Sequence, residues 1–299
     1  MADRACRWWT LDRRRLLVGL VAAGGSALGG RIVHGHRDGA FRLLVAPFHG
    51  LYETARRVAP LAGWLERELR LPVSVHSAFD FHEFRRRLDE AFGVGCELVL
   101  TPGHFVAAVL QDGWQPVFDV VCGREIAFFG RIDAGLTGLG SVAEVRLALP
   151  DPLSLVALAA LDHLRDRGLA PLRRIHFVGL GNVVEAVERG LAEMGAVPRA
   201  FYERMEAEET EEEEICRIVA TFPAELRKTL LAHRDVPPAT VERLRRSALA
   251  AGMAVDWLPT LGVAVTPPSL ALYRRLGLEY GSPFDESYSR SSRRSFTRS

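Results

Sequence analysis

Arg42–Ala108 reads RLLVAPFHGLYETARRVAPLAGWLERELRLPVSVHSAFDFHEFRRRLDEAFGVGCELVLTPGHFVAA. A short apolar strand ends at Pro47 and opens into a polar loop. The helix after it keeps Leu51, Ala55, Val58, Leu61, Leu65 and Leu69 at helical spacing, so one face is core. Pro60 lies inside that helix and is expected to divide or kink it. A second strand follows (Leu71 to Val75), then a helix from Phe81 to Phe92 with Phe81, Phe84 and Leu88 on one face. A third strand (Glu97 to Leu100) ends in the loop Thr-Pro-Gly-His. Parallel strands whose carboxyl ends feed short loops build a ligand crevice, so this stretch predicts small-molecule binding.

Working outward, the 299 residues suffice for two domains or two lobes. Hydrophobic content of 48% and charged content of 25% are those of a globular protein. A formal charge of +1 argues against a nucleic-acid partner, which needs a concentrated basic face. Basic charge is nearly all arginine; Lys228 is the only lysine, which reads as codon bias rather than a binding device.

Residues 1–30 read as an export signal. Arg13-Arg14-Arg15 precede an apolar run from Leu16 to Gly30, with small residues near Ser26 and Ala27. The order Asp12-Arg13-Arg14-Arg15-Leu16-Leu17 resembles a twin-arginine signal, and an uncleaved N-terminal anchor is the alternative. Removing this segment leaves 33 basic and 35 acidic side chains, a formal charge of −2. Cys96, Cys122 and Cys216 then remain, an odd number without CxxC spacing, so neither a disulfide framework nor a zinc site is expected. Cys96 and Cys122 read as small buried hydrophobes.

The opening logic recurs downstream. Pro116 to Phe129 is extended, broken at Gly123. A strand (Arg146 to Leu149), a Pro-Asp-Pro turn and a helix from Ser154 to Arg167 follow. Another strand, the turn Gly179-Leu-Gly-Asn182 and another helix complete a second α/β unit. Residues 207–215, rich in glutamate, read as a solvated stretch. Helices are expected at Pro238 to Ala251 and Ser269 to Leu276. The Ser/Arg-rich tail, 286–299, reads as disordered.

No catalytic signature is present: no GxSxG elbow, Walker loop or HExxH. Several residues instead suit anion capture. Ser154 begins a helix, where free N–H groups and the dipole favour negative charge. Thr101 ends the third strand, and His49 and Tyr52 follow the first; all three can donate to an oxyanion. His104 and Phe105 flank the same mouth, and Asn182 offers an amide from the second unit.

In this order the pieces resemble the phosphonate/phosphite/phosphate-binding (PhnD-like) family of periplasmic ABC-transporter receptors, over about 42–250. The resemblance rests on APLAGWLERELRLPVSV, the Asp80-Phe81 segment and ELVLTPGHFVAA in the first unit. In the second it rests on SVAEVRLALPDPLSL, GLGNVVEAVERG and GLAEMGAV, and finally on FPAELRKTLLAHRDVP. It implies an α/β, two-lobed type II periplasmic-binding-protein-like fold with a ligand cleft between lobes. Lobe 1 would be 41–120 plus 224–285, and lobe 2 would be 121–223. The resemblance also implies the ligand site His49, Tyr52, Thr101, His104, Phe105, Ser154 and Asn182. Phe105 stands where relatives carry a tyrosine, Leu153 and Leu155 flank the single Ser154, and Asn182 replaces a His-Asp turn.

The function implied is that of an exported, periplasmic and monomeric solute-binding protein without enzymatic activity, cofactor or metal. It would bind a small ligand, a phosphonate- or phosphate-like oxyanion among the candidates, and present it to a membrane permease. The alternative is a related sensor of a thiophilic oxyanion such as arsenite, signalling to a histidine kinase.

Overall fold

The computed structural model describes residues 39–94, 96–208 and 215–280. All of them fall in one compact unit that starts at Gly35. The expected signal, the tail and most of the glutamate-rich stretch lie outside the described residues.

The first half runs β1 (Phe41–Val45), α1 (Leu51–Leu69), β2 (Val73–Ser77), α2 (Phe81–Val94), β3 (Leu98–Pro102) and α3 (Gly103–Val109). Strands β1, β2 and β3 are parallel, with β1 in the middle. Successive side chains of a strand point to opposite faces, and here both faces are covered. Leu43, Val45, Leu98 and Leu100 pack with Val58, Leu61, Trp64 and Leu65 of α1. Leu44, Ala46 and Val99 pack with Phe81, Phe84, Phe105 and Val106 on the other side. That double burial is why these strands read as continuous apolar runs. Pro60 does not divide α1, contrary to expectation. Val58 on one side of it and Leu61 to Leu65 on the other anchor in the same core, which outweighs one lost N–H.

The chain then crosses to the second half along β4 (Trp114–Arg131). There follow β5 (Arg146–Pro150), α4 (Leu155–Asp166), β6 (Arg173–Phe177), α5 (Leu180–Glu188), β7 (Met194–Pro198) and α6 (Arg199–Glu208). It returns along β8 (Cys216–His233), an antiparallel partner of β4 for nearly its whole length. Next come α7 (Pro238–Ala251), α8 (Leu258–Leu261), β9 (Ala264–Thr266) and α9 (Leu270–Tyr280).

The sheet order is β2-β1-β3-β8-β4-β7-β5-β6, with β9 also on β4. The distal half of β8 pairs with β3 and the distal half of β4 with β7, so the two long strands belong to both lobes. Gly123 does not end β4 but bulges it: the register with β8 shifts on either side of Gly123, whose φ is +151°. The expected lobe boundaries at 120/121 and 223/224 therefore fall inside β4 and β8. Helix α9 touches both cores: Tyr273 packs in the first lobe, and Leu272 and Leu276 in the second.

A buried carboxylate ties that helix to the crossover. Asp119 in β4 accepts from Thr229 Oγ1 of β8 at 2.7 Å and from Tyr273 Oη at 2.5 Å. Burial pushes the Asp119 carboxyl up, while these two donors pull it back toward the ionised form. Replacing Tyr273 with Phe removes a donor to a buried carboxylate. Urea unfolding should show a stability loss of about 2 kcal/mol; a midpoint unchanged from wild type would contradict the tie.

Candidate functional site

The carboxyl ends of β1, β3, β5 and β7 face one another across the crossover, and the loops leaving them enclose a cavity of about 210 Å³. The lobes meet around it. The Phe81 N–H donates to Asp151 Oδ2 at 3.2 Å, and His104 Nε2 lies 3.0 Å from the Leu153 carbonyl. The rings of His49 and Phe201 stack at 6.0 Å between centroids. Gly179, with φ of +86°, lies so close to the first lobe that a Cβ there would stand 2.8 Å from the Gly50 nitrogen. Only a glycine accepts both that backbone angle and that approach.

The expected residues separate into two groups. His49 and Ser154 line the cavity. Ser154 caps α4, its Oγ accepting from the Ala157 N–H at 3.2 Å. The N–H groups of Leu155 and Val156 in that first turn have no intrahelical acceptor, and both residues line the cavity. Asp151 organises the turn before them, accepting the Leu153 N–H on Oδ1 at 2.8 Å.

The other five stand elsewhere. Tyr52 is 80% exposed on the first turn of α1, and with Asn182 it borders a separate outer groove. The Asn182 amide donates to the Val178 carbonyl at 2.7 Å. Thr101 is fully buried within β3, opposite Thr229; the next residue, Pro102, is the one that reaches the cavity. Phe105 is packed against Phe81 and Phe84 in the first core. His104 is fully buried where the lobes touch. Burial pushes its imidazole down to about 4, partly offset by the Leu153 carbonyl, so at neutral pH the uncharged ring donates from Nε2.

Lys228, Arg204 and Phe201 were not among the expected residues, yet all three line the cavity. Lys228 sits in the middle of β8, opposite Val120 of β4, and is 8% exposed. Its ammonium donates to the Leu261 carbonyl at 2.8 Å and stands 4.7 Å from the centre of the Phe48 ring. Among the described residues no carboxylate is within ion-pair distance of it. Burial pulls its pKa below the usual lysine value, and the positive charges of Arg57 and Arg204 act in the same direction. His49 is likewise held well below its ordinary value, by burial first and then by Lys228 and Arg57. A buried cation with no carboxylate beside it is costly. The one signal in the sequence was that a chain rich in arginine spends its single lysine here.

Cys122 also lines the cavity, its thiol near the Leu261 carbonyl at 3.5 Å, and burial raises its pKa. Cys96 lies away from it, against the Arg42 and Leu98 carbonyls. Cys216 lies in the second core. Among the described residues no group of three or more His, Cys, Asp or Glu side chains could hold a metal ion. No helix among them is long and apolar enough to cross a membrane.

The family model described as ABC transporter, phosphonate, periplasmic substrate-binding protein matches residues 43–264. No curated protein matches the chain. Among solved structures, PhnD1 from Prochlorococcus marinus (MIT 9301) in complex with methylphosphonate is similar with a TM-score of 0.67 at 13% identity, over 83% of this chain and 98% of its own. XAC2383 from Xanthomonas citri, bound to chloride ion, has a TM-score of 0.63 at 18% identity, over 83% of this chain and 100% of its own. A binding protein component of a Pseudomonas aeruginosa ABC phosphonate transporter has a TM-score of 0.62 at 11% identity, over 80% of this chain and 85% of its own. At these identities the likeness establishes the two-lobed fold.

Burial of His104 makes the stability of the fold sensitive to pH. The unfolded chain takes up the His104 proton near pH 6.5 and the folded chain only near 4. Its contribution is therefore complete above 6.5 and is lost as pH falls toward 4; His49 acts in the same sense. His104→Gln keeps a donor for Leu153 but does not titrate. Between pH 7 and 5, wild type should lose about 2 kcal/mol more than this variant in urea unfolding. Parallel curves would contradict the assignment.

Proposed function

Since the chain belongs to the family of periplasmic substrate-binding proteins of phosphonate ABC transporters, we propose that it captures a small anion between its lobes and presents the closed form to a membrane permease. The observation that carries this is Lys228, a buried ammonium that faces the interlobe cavity with no carboxylate beside it. The first turn of α4 adds directed N–H groups, and the Ser154 hydroxyl proton is free to donate while its oxygen caps the helix. His49, neutral, supplies one ring N–H. On this reading the protein's work is binding and closure.

Closure follows from the same geometry. The bulged crossover of β4 and β8 is the only covalent path besides the α9 return that links the described lobes, so bending there swings one set of strand-end loops toward the other. An anion that reaches both Lys228 and α4 makes contacts available only when the lobes are together, which is the differential affinity a ligand needs to shift the equilibrium.

The sensor alternative draws on thiols, and among the described residues only Cys122 faces the cavity. A thiophilic oxyanion is held best by several thiolates, so this site favours transport of an anion over sensing of a soft metalloid.

Calorimetric titration of the mature protein with a panel of small anions, at fixed low salt, tests the reading. Lys228→Met should weaken binding of any anion that wild type takes by roughly 10- to 100-fold, and Ser154→Ala by about fivefold. The same Lys228→Met change should leave the ligand-free protein as stable as wild type or more so, because it removes an uncompensated buried charge. Unweakened anion binding in Lys228→Met would overturn the assignment.

A further inference from the structure

Resting on the reading of the cleft as an anion site, we propose that its ligand is an amphipathic monoanion: one carboxylate-like head on an apolar body. The charge inventory sets the first half of this. Arg227 lines the cavity but is already engaged: its Nη1 donates to Thr266 Oγ1 at 2.9 Å and lies 3.7 Å from Asp119, and its Nε is 3.5 Å from Glu225. Arg204 is half-buried and lies over the Phe201 ring at 5.5 Å. Asp151, the acid in the lining, is committed to the Phe81 and Leu153 N–H groups. Lys228 is left as the buried charge that a ligand must answer, and one cation calls for one negative charge.

The walls set the second half. Phe48, Phe81, Leu155, Leu180, Phe201 and Leu261 surround the same space. Hydroxyl donors are scarce in it. Thr260, whose hydroxyl lies 2.7 Å from both the Arg57 and the Trp257 carbonyl, also borders the cavity, and its one proton goes to these two acceptors. Ser154 is the hydroxyl that remains. A tetrahedral dianion exposes acceptor oxygens on every side and would leave several unmet against these walls, at a cost. A ligand with its oxygens at one end loses nothing by placing the rest against phenyl and leucine side chains. A cavity of 210 Å³ accommodates about seven non-hydrogen atoms at the space a water molecule takes in the liquid, and about ten at the closer packing of a protein interior. That is the size of a six-carbon aliphatic acid or a simple aromatic acid.

The test is calorimetry on the mature wild-type protein with acetate, butanoate, hexanoate, benzoate, glutarate, methylphosphonate and phosphate, with hexanamide and benzamide as neutral controls. Affinity should rise about fourfold per added methylene from acetate to hexanoate. Hexanoate or benzoate should bind at least tenfold tighter than methylphosphonate, phosphate or glutarate, and at least tenfold tighter than its own amide. Lys228→Met should bring acid and amide to within a few fold of each other. The acid–amide comparison on wild type stands even if that variant does not fold. Methylphosphonate, phosphate or glutarate binding tighter than every monocarboxylate would overturn this inference and leave the anion reading intact. Amides binding as well as acids would overturn the need for charge. Binding of none of these compounds would overturn the inference and the anion reading together.

Discussion

The antiparallel ladder between β4 and β8 is the constraint on which everything else rests. These two 18-residue strands run through both lobes, and each lobe's parallel strands are hung on them: β3 on β8, β7 on β4. The ladder's register shifts near each end, between Pro116 and Phe118 and between Phe128 and Phe129, and on both sides of Gly123, where the irregularity falls between the lobes. Lys228 sits in the ladder just before it, opposite Val120. The same pairing that joins the lobes therefore buries the ammonium and aims it at the space between them. Asp119 and Thr229, one step along, hold Tyr273 of α9 and so brace the crossover from outside.

From this placement the site's electrostatics follow. A lysine on a strand edge would be solvated and of little consequence. Flanked by β3 and β4 and covered by the Leu261 turn, this one loses its water and gains one carbonyl and one aromatic face. Burial first, and then the Lys228 charge with those of Arg57 and Arg204, holds His49 neutral. On the proposed reading, an anion in the cleft would relieve the cost of burying this charge and so couple occupancy to closure. Gly179 and Gly50 let the lobes approach at one point without a side chain in the way, and His104 closes the contact at another.

The first lobe was legible because its signals are local. Leu43 to Ala46 and Leu98 to Leu100 are apolar runs ended by Pro47 and by Pro102-Gly103, and α1 keeps its period. The Pro-Asp-Pro turn and Ser154 likewise announced the α4 cap. The crossover was not legible, because its pairings join residues from 85 (Arg131 with Cys216) to 119 (Trp114 with His233) positions apart. Lys228 lies in RKTLLAH, which reads as a strand with a wet edge until both of its neighbours are known. Tyr52, three residues from His49, looks equally placed in the sequence to serve the loop. The helix starts at Leu51 and turns Tyr52 outward to solvent. Thr101 stands off the cavity by the alternation of a strand, since its neighbour Pro102 takes the cavity side. Sequence spacing located the mouth of the cleft, and three-dimensional pairing decided which side chains enter it.

Because Lys228 is the only lysine in the chain, its charge can be followed directly. Protein labelled with carbon-13 at the lysine Cε gives one lysine resonance, which can be titrated with pH by NMR, first alone and then saturated with the tightest-binding anion. The account predicts a ligand-free pKa below the ordinary lysine value and a rise when the anion binds, because the anion supplies the missing counter-charge. An ordinary lysine titration that the anion leaves unmoved would contradict it.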